Sequence, residues 1–193
     1  MEELAEYAGV DPVEFRRKYS ANYPRNLAVL NAVADRIGWT KPAPAGVFRG
    51  IAQQKSFGSF VAAACELSVT DGNKVKIHRI VAATDPGYAV NPAQIERQVS
   101  GSFVYGLSAL FEEECTVKNG RIEQTNFDTF GSIRLKQMPK VETIIIQGGG
   151  KEWGGIGEPT ISVAAPAVLN AFYRATGKRI RTVPLKNSGI TLV

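Results

Sequence analysis

The chain of 193 residues holds two cysteines and one histidine. Cys65 and Cys115 form no CxxC pair and stand far apart, so neither an iron–sulfur cluster nor a zinc site can be built from them. The same spacing gives no disulfide framework, and both are read as small buried hydrophobes, a usage that fits a reducing compartment. His78 stands alone on an expected hairpin strand and reads as a surface or packing residue, so no protein-held metal is expected. No apolar run is long enough to span a bilayer. The opening Met1-Glu2-Glu3-Leu4 is acidic where a targeting segment is basic. No secretory leader is therefore expected, and the expected location is cytoplasmic, with the periplasm as the alternative. Also missing is any stripe of arginines interleaved with aromatics, so neither nucleic acid nor membrane is expected as a partner. The net charge of +5 favours anionic partners without naming one. Its densest cluster, Arg174, Lys178, Arg179, Arg181 and Lys186, reads as a solvated face.

What is present is an ordinary globular balance, 44% hydrophobic and 21% charged, in a length that suits one domain with a helical appendage. Residues 1–40 read as three short helices. Asp11 followed by Pro12 is a helix start, and Leu27, Leu30, Val33, Ala34 and Ile37 keep helical spacing up to a stop at Gly38. So short a set buries little alone and is expected as a satellite. Alternate prolines in 41–46 (Lys41-Pro42-Ala43-Pro44-Ala45-Gly46) make an extended linker. Residues 47–193 then change to strands at 47–53, 59–70 and 74–83, the last two joined by a hairpin at Asp71-Gly72-Asn73. A helix is expected from Asn91 to Leu110, with the small residues Gly101, Gly106 and Ser108 set for close packing. Further strands are expected at 113–117, 121–125, 141–147 and 179–185, and a helix at 162–176 closed by Gly177. The class is α+β: a small helical N-terminal segment, then a mixed β-sheet domain with two main helices.

The glycine-rich stretch Gly148-Gly149-Gly150-Lys151-Glu152-Trp153-Gly154-Gly155-Ile156-Gly157-Glu158-Pro159 opens the last helix. A phosphate-binding P-loop is excluded, because Gly155-Ile156 follow Gly149 and Gly154 where lysine and a hydroxyl residue are needed. A dinucleotide fingerprint is excluded as well, because Thr160 stands at the third glycine position. Two readings stay open. Glu158 is either a charge favouring the positive end of a helix, or a carboxylate held where glycines let a bulky ligand approach and so able to act as general base.

Five segments along the chain carry a resemblance. Gly155-Ile156-Gly157-Glu158-Pro159 with Val163-Ala164-Ala165-Pro166 is similar to the motif of the molybdopterin-binding subunits of the xanthine oxidase family. Ala175-Thr176-Gly177-Lys178-Arg179, Ser56-Phe57-Gly58-Ser59-Phe60, and Asn91-Pro92 with Gln98-Val99-Ser100-Gly101-Ser102-Phe103 resemble its isoquinoline 1-oxidoreductase branch, as does Asp11-Pro12-Val13-Glu14-Phe15-Arg16. The resemblance implies an oxidoreductase that hydroxylates an aldehyde or N-heteroaromatic ring, with Glu158 as general base activating the molybdenum-bound hydroxide. It implies that Gln98 hydrogen-bonds the molybdenum centre and that Gly157 belongs to the cofactor turn. The bland reading of Gln98 is a solvated helix residue. In that family the metal is held by the pterin dithiolene (molybdopterin or its cytosine dinucleotide), which suits a chain with no ligand cluster.

Length is the departure. Family subunits are several times longer, and this chain matches only their last part. The resemblance therefore implies two partners, an upstream molybdenum-binding portion and an iron–sulfur subunit. The isolated chain is expected to bind no cofactor tightly. The alternative is a non-catalytic interaction or assembly module, a remnant of the same fold.

Overall fold

A computed structural model describes residues 1–193. Helices α1 (Glu2–Tyr7), α2 (Pro12–Ser20) and α3 (Pro24–Ile37) precede the strands β1 (Phe48–Ser56), β2 (Ser59–Thr70) and β3 (Lys74–Asp85). Next come α4 (Pro92–Phe111), the two-residue strands β4 (Val117–Lys118) and β5 (Arg121–Ile122), β6 (Lys140–Ile145), α5 (Ile161–Thr176) and β7 (Thr191–Leu192). The ends fall where local chemistry puts them. Asp11 accepts from the amides of Val13 and Glu14, Asn91 accepts from that of Gln94, and Gly38 and Gly177 close α3 and α5 in the left-handed conformation.

The sheet is mixed, in keeping with the α+β expectation. β1, β2 and β3 form an antiparallel meander, while β6 and β7 each run parallel to β3. Side chains alternate across it. Val61, Ala63, Cys65 and Leu67 face Phe103, Leu107, Val163, Ala167 and Phe172 of α4 and α5. Ala62, Ala64, Val81 and Ala83 face Val29, Leu30, Val33 and Ile37 of α3. Helix α3 is thus a layer of the sandwich, with α2 packed on it and α1 on α2. The three helices are not the satellite their length implied, because α3 presents its whole apolar stripe to the sheet. The imperfect alternation along β3 also has a cause: the register slips between Glu66 and Leu67, leaving His78 unpaired, so Ile77 and Ile80 point to the same side.

Four expectations need correction. The strands at 113–117 and 121–125 shrink to the two-residue hairpin of β4 and β5. Residues 179–185 form no strand. The chain there runs irregularly into a short 3-10 turn, Leu185–Ser188, and Leu185, Ile190 and Leu192 carry the apolar burial. The basic cluster in this region is more than a solvated face: Arg174, Arg179 and Arg181 pair with Glu2, Glu6 and Glu3, tying α1 to the C-terminal segment. Cys65 is buried, which pushes its thiol pKa up, but Cys115 is exposed. His78 Nε2 lies 2.8 Å from Ser68 Oγ.

The small residues of α4 are already used within the chain. A Cβ on Gly106 would stand 2.5 Å from the Cβ of Ala164, so α4 and α5 cross there, and Ser108 Oγ accepts from the amide of Ile133. Gly101 meets nothing within 4 Å. Gly101→Ala is therefore expected to raise stability by roughly 0.5–1 kcal/mol, the helical preference of alanine over glycine. Urea unfolding checks it, and a lowered midpoint would show a contact at that position.

Candidate active site

The glycine-rich stretch leaves β6 and crosses the end of the sheet before entering α5. A loop with so many glycines would be mobile unless tied down, and it is tied at several points. The amide of Gly148 donates to Asp85 Oδ1 at 3.0 Å, that of Gly149 to the Gly87 carbonyl at 3.0 Å, and that of Gly154 to the Pro86 carbonyl at 2.9 Å. Gly155 donates to the Phe57 carbonyl at 2.8 Å and accepts from Ser59 Oγ at 2.5 Å. Beyond the loop, buried Thr160 meets buried Ser102 of α4, oxygen to oxygen, at 2.5 Å. Two of the glycines are demanded by close approach. A Cβ on Gly148 would lie 2.1 Å from Asp85 Oδ2, and one on Gly154 would lie 2.2 Å from Ser59 Oγ.

Glu158 stands just before α5, exposed, and its carbonyl accepts from the Ile161 amide at 3.0 Å. Pro159 and Thr160, immediately after it, are buried, so the carboxylate rises from an anchored base. Gly157 is different from the glycines above. Its added Cβ would meet nothing within 4 Å, so packing within the chain does not demand a glycine there. The missing side chain leaves open space beside Glu158.

Gln98 lies on the exposed face of α4. It lines a cleft of about 290 Å³ with Gln94, Ile95, Tyr88, Val90, Trp153, Gly154 and Ile156. Two segments far apart in sequence, the α4 face and the glycine-rich turn, thus share one cleft. Glu158 follows Ile156 by two positions and is not part of its lining. The lining carries no ionised side chain. Its most prominent feature is Tyr88 stacked on Trp153, with ring centroids 5.3 Å apart and planes at 24°. Both rings are more than half exposed, at 54% and 66%.

Sequence reasoning missed Asp85, Arg25, Ser59 and the aromatic pair. Composition marks Asp85 only as the start of a turn. A further signal is there: a carboxylate closing the apolar run Ile80-Val81-Ala82-Ala83-Thr84 must be buried with it, and a buried carboxylate needs donors. Burial alone raises its pKa, but the Arg25 guanidinium and the amides of Gly87 and Gly148 outweigh this and hold it below the usual carboxylate value. No group of three or more His, Cys, Asp or Glu side chains is placed to hold a metal ion, and no helix is long and apolar enough to cross a membrane.

Comparison with known proteins bears on these residues. Residues 29–139 match the molybdopterin cofactor-binding domain, a segment that includes Gln98 and ends before Glu158. The beta chain of isoquinoline 1-oxidoreductase from Brevundimonas diminuta is 27% identical over 190 residues, covering 96% of this chain and 24% of the relative. A nicotinate dehydrogenase subunit from Pseudomonas putida is 27% identical over 203 residues, covering 96% of this chain and 17% of the relative. The chain thus spans about a quarter of these relatives' length or less. Among solved structures, quinoline 2-oxidoreductase from Pseudomonas putida 86 aligns with a TM-score of 0.58 at 18% identity, over 66% of this chain and 17% of that one. That likeness is one of fold.

Proposed function

Because the chain belongs to the molybdopterin cofactor-binding domain family, we propose that it forms one wall of a molybdenum hydroxylase active site, in which Glu158 is the general base. The observation that carries this reading is the shared cleft: the turn leading to Glu158 and the α4 face bearing Gln98 come from distant parts of the chain and line it together. The names of two relatives, isoquinoline 1-oxidoreductase and nicotinate dehydrogenase, support an N-heteroaromatic substrate, with an aldehyde as the alternative.

The residues present fit the cofactor as a partial cradle. The cleft is uncharged, bounded on one side by the backbone of Gly154 and on the other by the Gln98 carboxamide, which can both donate and accept hydrogen bonds. Gly157 leaves room beside the carboxylate. When bound, the molybdenum–pterin group would supply the two-electron oxidising chemistry. Gln98 orients it. Glu158 takes a proton at its carboxylate, a role open to a carboxylate that is exposed. The anchored turn fixes the backbone from which that carboxylate rises. Electrons leave through a separate iron–sulfur subunit, because two isolated cysteines cannot hold a cluster.

A cleft of about 290 Å³ on the surface of this chain encloses too little to retain a large pterin alone. The expected result is molybdenum in the complex of this chain with a polypeptide supplying the upstream portion, and none at stoichiometric level in the purified 193-residue chain. Metal analysis of both decides. A complex devoid of molybdenum would overturn the proposed function, and stoichiometric metal in the isolated chain would overturn the two-part site.

A further inference from the structure

Asp85 ends β3 with its side chain fully buried. Its Oδ1 accepts three hydrogen bonds: from Arg25 Nη2 at 2.9 Å, from the Gly87 amide at 2.8 Å and from the Gly148 amide at 3.0 Å. Its Oδ2 accepts from Arg25 Nε at 2.7 Å, and its own carbonyl accepts from Arg25 Nη2 at 3.1 Å. One carboxylate therefore joins three separate pieces of chain: the first turn of α3, the turn after β3, and the first residue of the glycine-rich stretch. Arg25 is itself held, its guanidinium lying 4.5 Å from the centre of the Phe60 ring.

An ion pair kept only for stability would not need both backbone amides. Here the amides are what connect the pair to the loop. Oδ1 fixes Gly87, whose φ of 86° is open to glycine and strained for other residues. The turn so fixed presents the carbonyls of Pro86 and Gly87, which accept from Gly154 and Gly149. The same turn leads into Tyr88, on which Trp153 stacks. Support passes from Asp85 to the Pro86-Gly87 turn, and from that turn to the loop at Gly149 and Gly154, upstream of Glu158.

We propose that Asp85, locked by Arg25, is the positioning residue of this site: it sets the placement of the glycine-rich turn and through it that of Glu158. The catalytic consequence rests on the general-base role proposed above; the positioning of the loop does not.

The test is amide hydrogen exchange on the full chain. Asp85→Ala is expected to speed exchange at Gly148, Gly149 and Gly154 by roughly ten- to a hundredfold, the scale of losing hydrogen bonds to a charged group. Amides of β2 and of the β3 interior should keep their protection. Asp85→Asn keeps the size of the side chain but turns an NH2 toward Arg25 Nε, donor against donor. It should show the same local pattern more weakly, and it serves if Asp85→Ala does not fold. Exchange that rises equally across the sheet, or stays unchanged in the loop, would overturn the proposal. In the assembled enzyme, Asp85→Asn should lower kcat with KM and molybdenum content held; a change in KM alone would overturn the link to Glu158. If Glu158→Gln leaves turnover intact, the general-base role fails, while the exchange pattern still decides the positioning.

Discussion

Glu158→Gln in the assembled enzyme is expected to lower turnover by about a hundred- to ten-thousand-fold, the usual contribution of general-base assistance. Glutamine keeps the size of the side chain and its hydrogen-bonding capacity but cannot take a proton at neutral pH. The fold should not notice the change. Glu158 is exposed, and the hydrogen bond it lends to the start of α5 comes from its backbone carbonyl, not its side chain. Molybdenum content should hold too, because the substitution leaves untouched the loop backbone and Gln98, the contacts proposed for the cofactor. The competing role, a charge at the helix start, makes the opposite forecast: a small drop in unfolding midpoint and unchanged turnover. Steady-state kinetics with metal analysis separates the two. A variant with wild-type turnover and full metal would end the catalytic assignment.

Gly50→Ala is expected to destabilise the chain by about 3 kcal/mol, the upper end of what overpacking costs. The reason is that α5 lies directly on β1 at this point. A methyl on Gly50 would stand 2.3 Å from the Ala167 carbonyl oxygen and 2.3 Å from the Ala171 amide nitrogen. Both are helix backbone, so no side chain can swing aside. The helix must lift, and with it go the packing of Val163, Ala167 and Phe172 and the bond from Asn170 Nδ2 to the Ile51 carbonyl. Because α5 begins just after Glu158, the same displacement should lower activity in the assembled enzyme. Denaturant unfolding of the isolated chain measures the stability term. A midpoint close to the parent's would mean that α5 can slide along β1 without loss.

The local features of this protein were legible in the sequence because their causes are local. Asp11, Asn91, Gly38 and Gly177 mark helix ends through bonds and backbone angles within a few residues of themselves. Asp71-Gly72 turns a hairpin for the same reason. The glycine-rich turn announced itself by composition, and Glu158, Gln98 and Gly157 were singled out through resemblance to a family, not through spacing, which left the role of Glu158 open. Periodicity failed where pairing depends on a distant partner. Residues 113–125 had strand character but pair only with one another, and 179–185 pair with no strand.

The tertiary structure decided what gathers at the end of the sheet. Arg25 and Asp85 are 60 positions apart, and Asp85 and Gly148 are 63 apart; nothing in the neighbourhood of any of them names the others. Their meeting follows from α3 packing on one face of the sheet and from β6 running parallel beside β3, which brings the chain after β6 out at the same end as Asp85. The sequence by itself determined that there would be a glycine-rich turn ending in a carboxylate. Only the packed sheet could determine that a buried carboxylate would hold that turn in place, because a buried charge finds its donors through the fold and not along the chain.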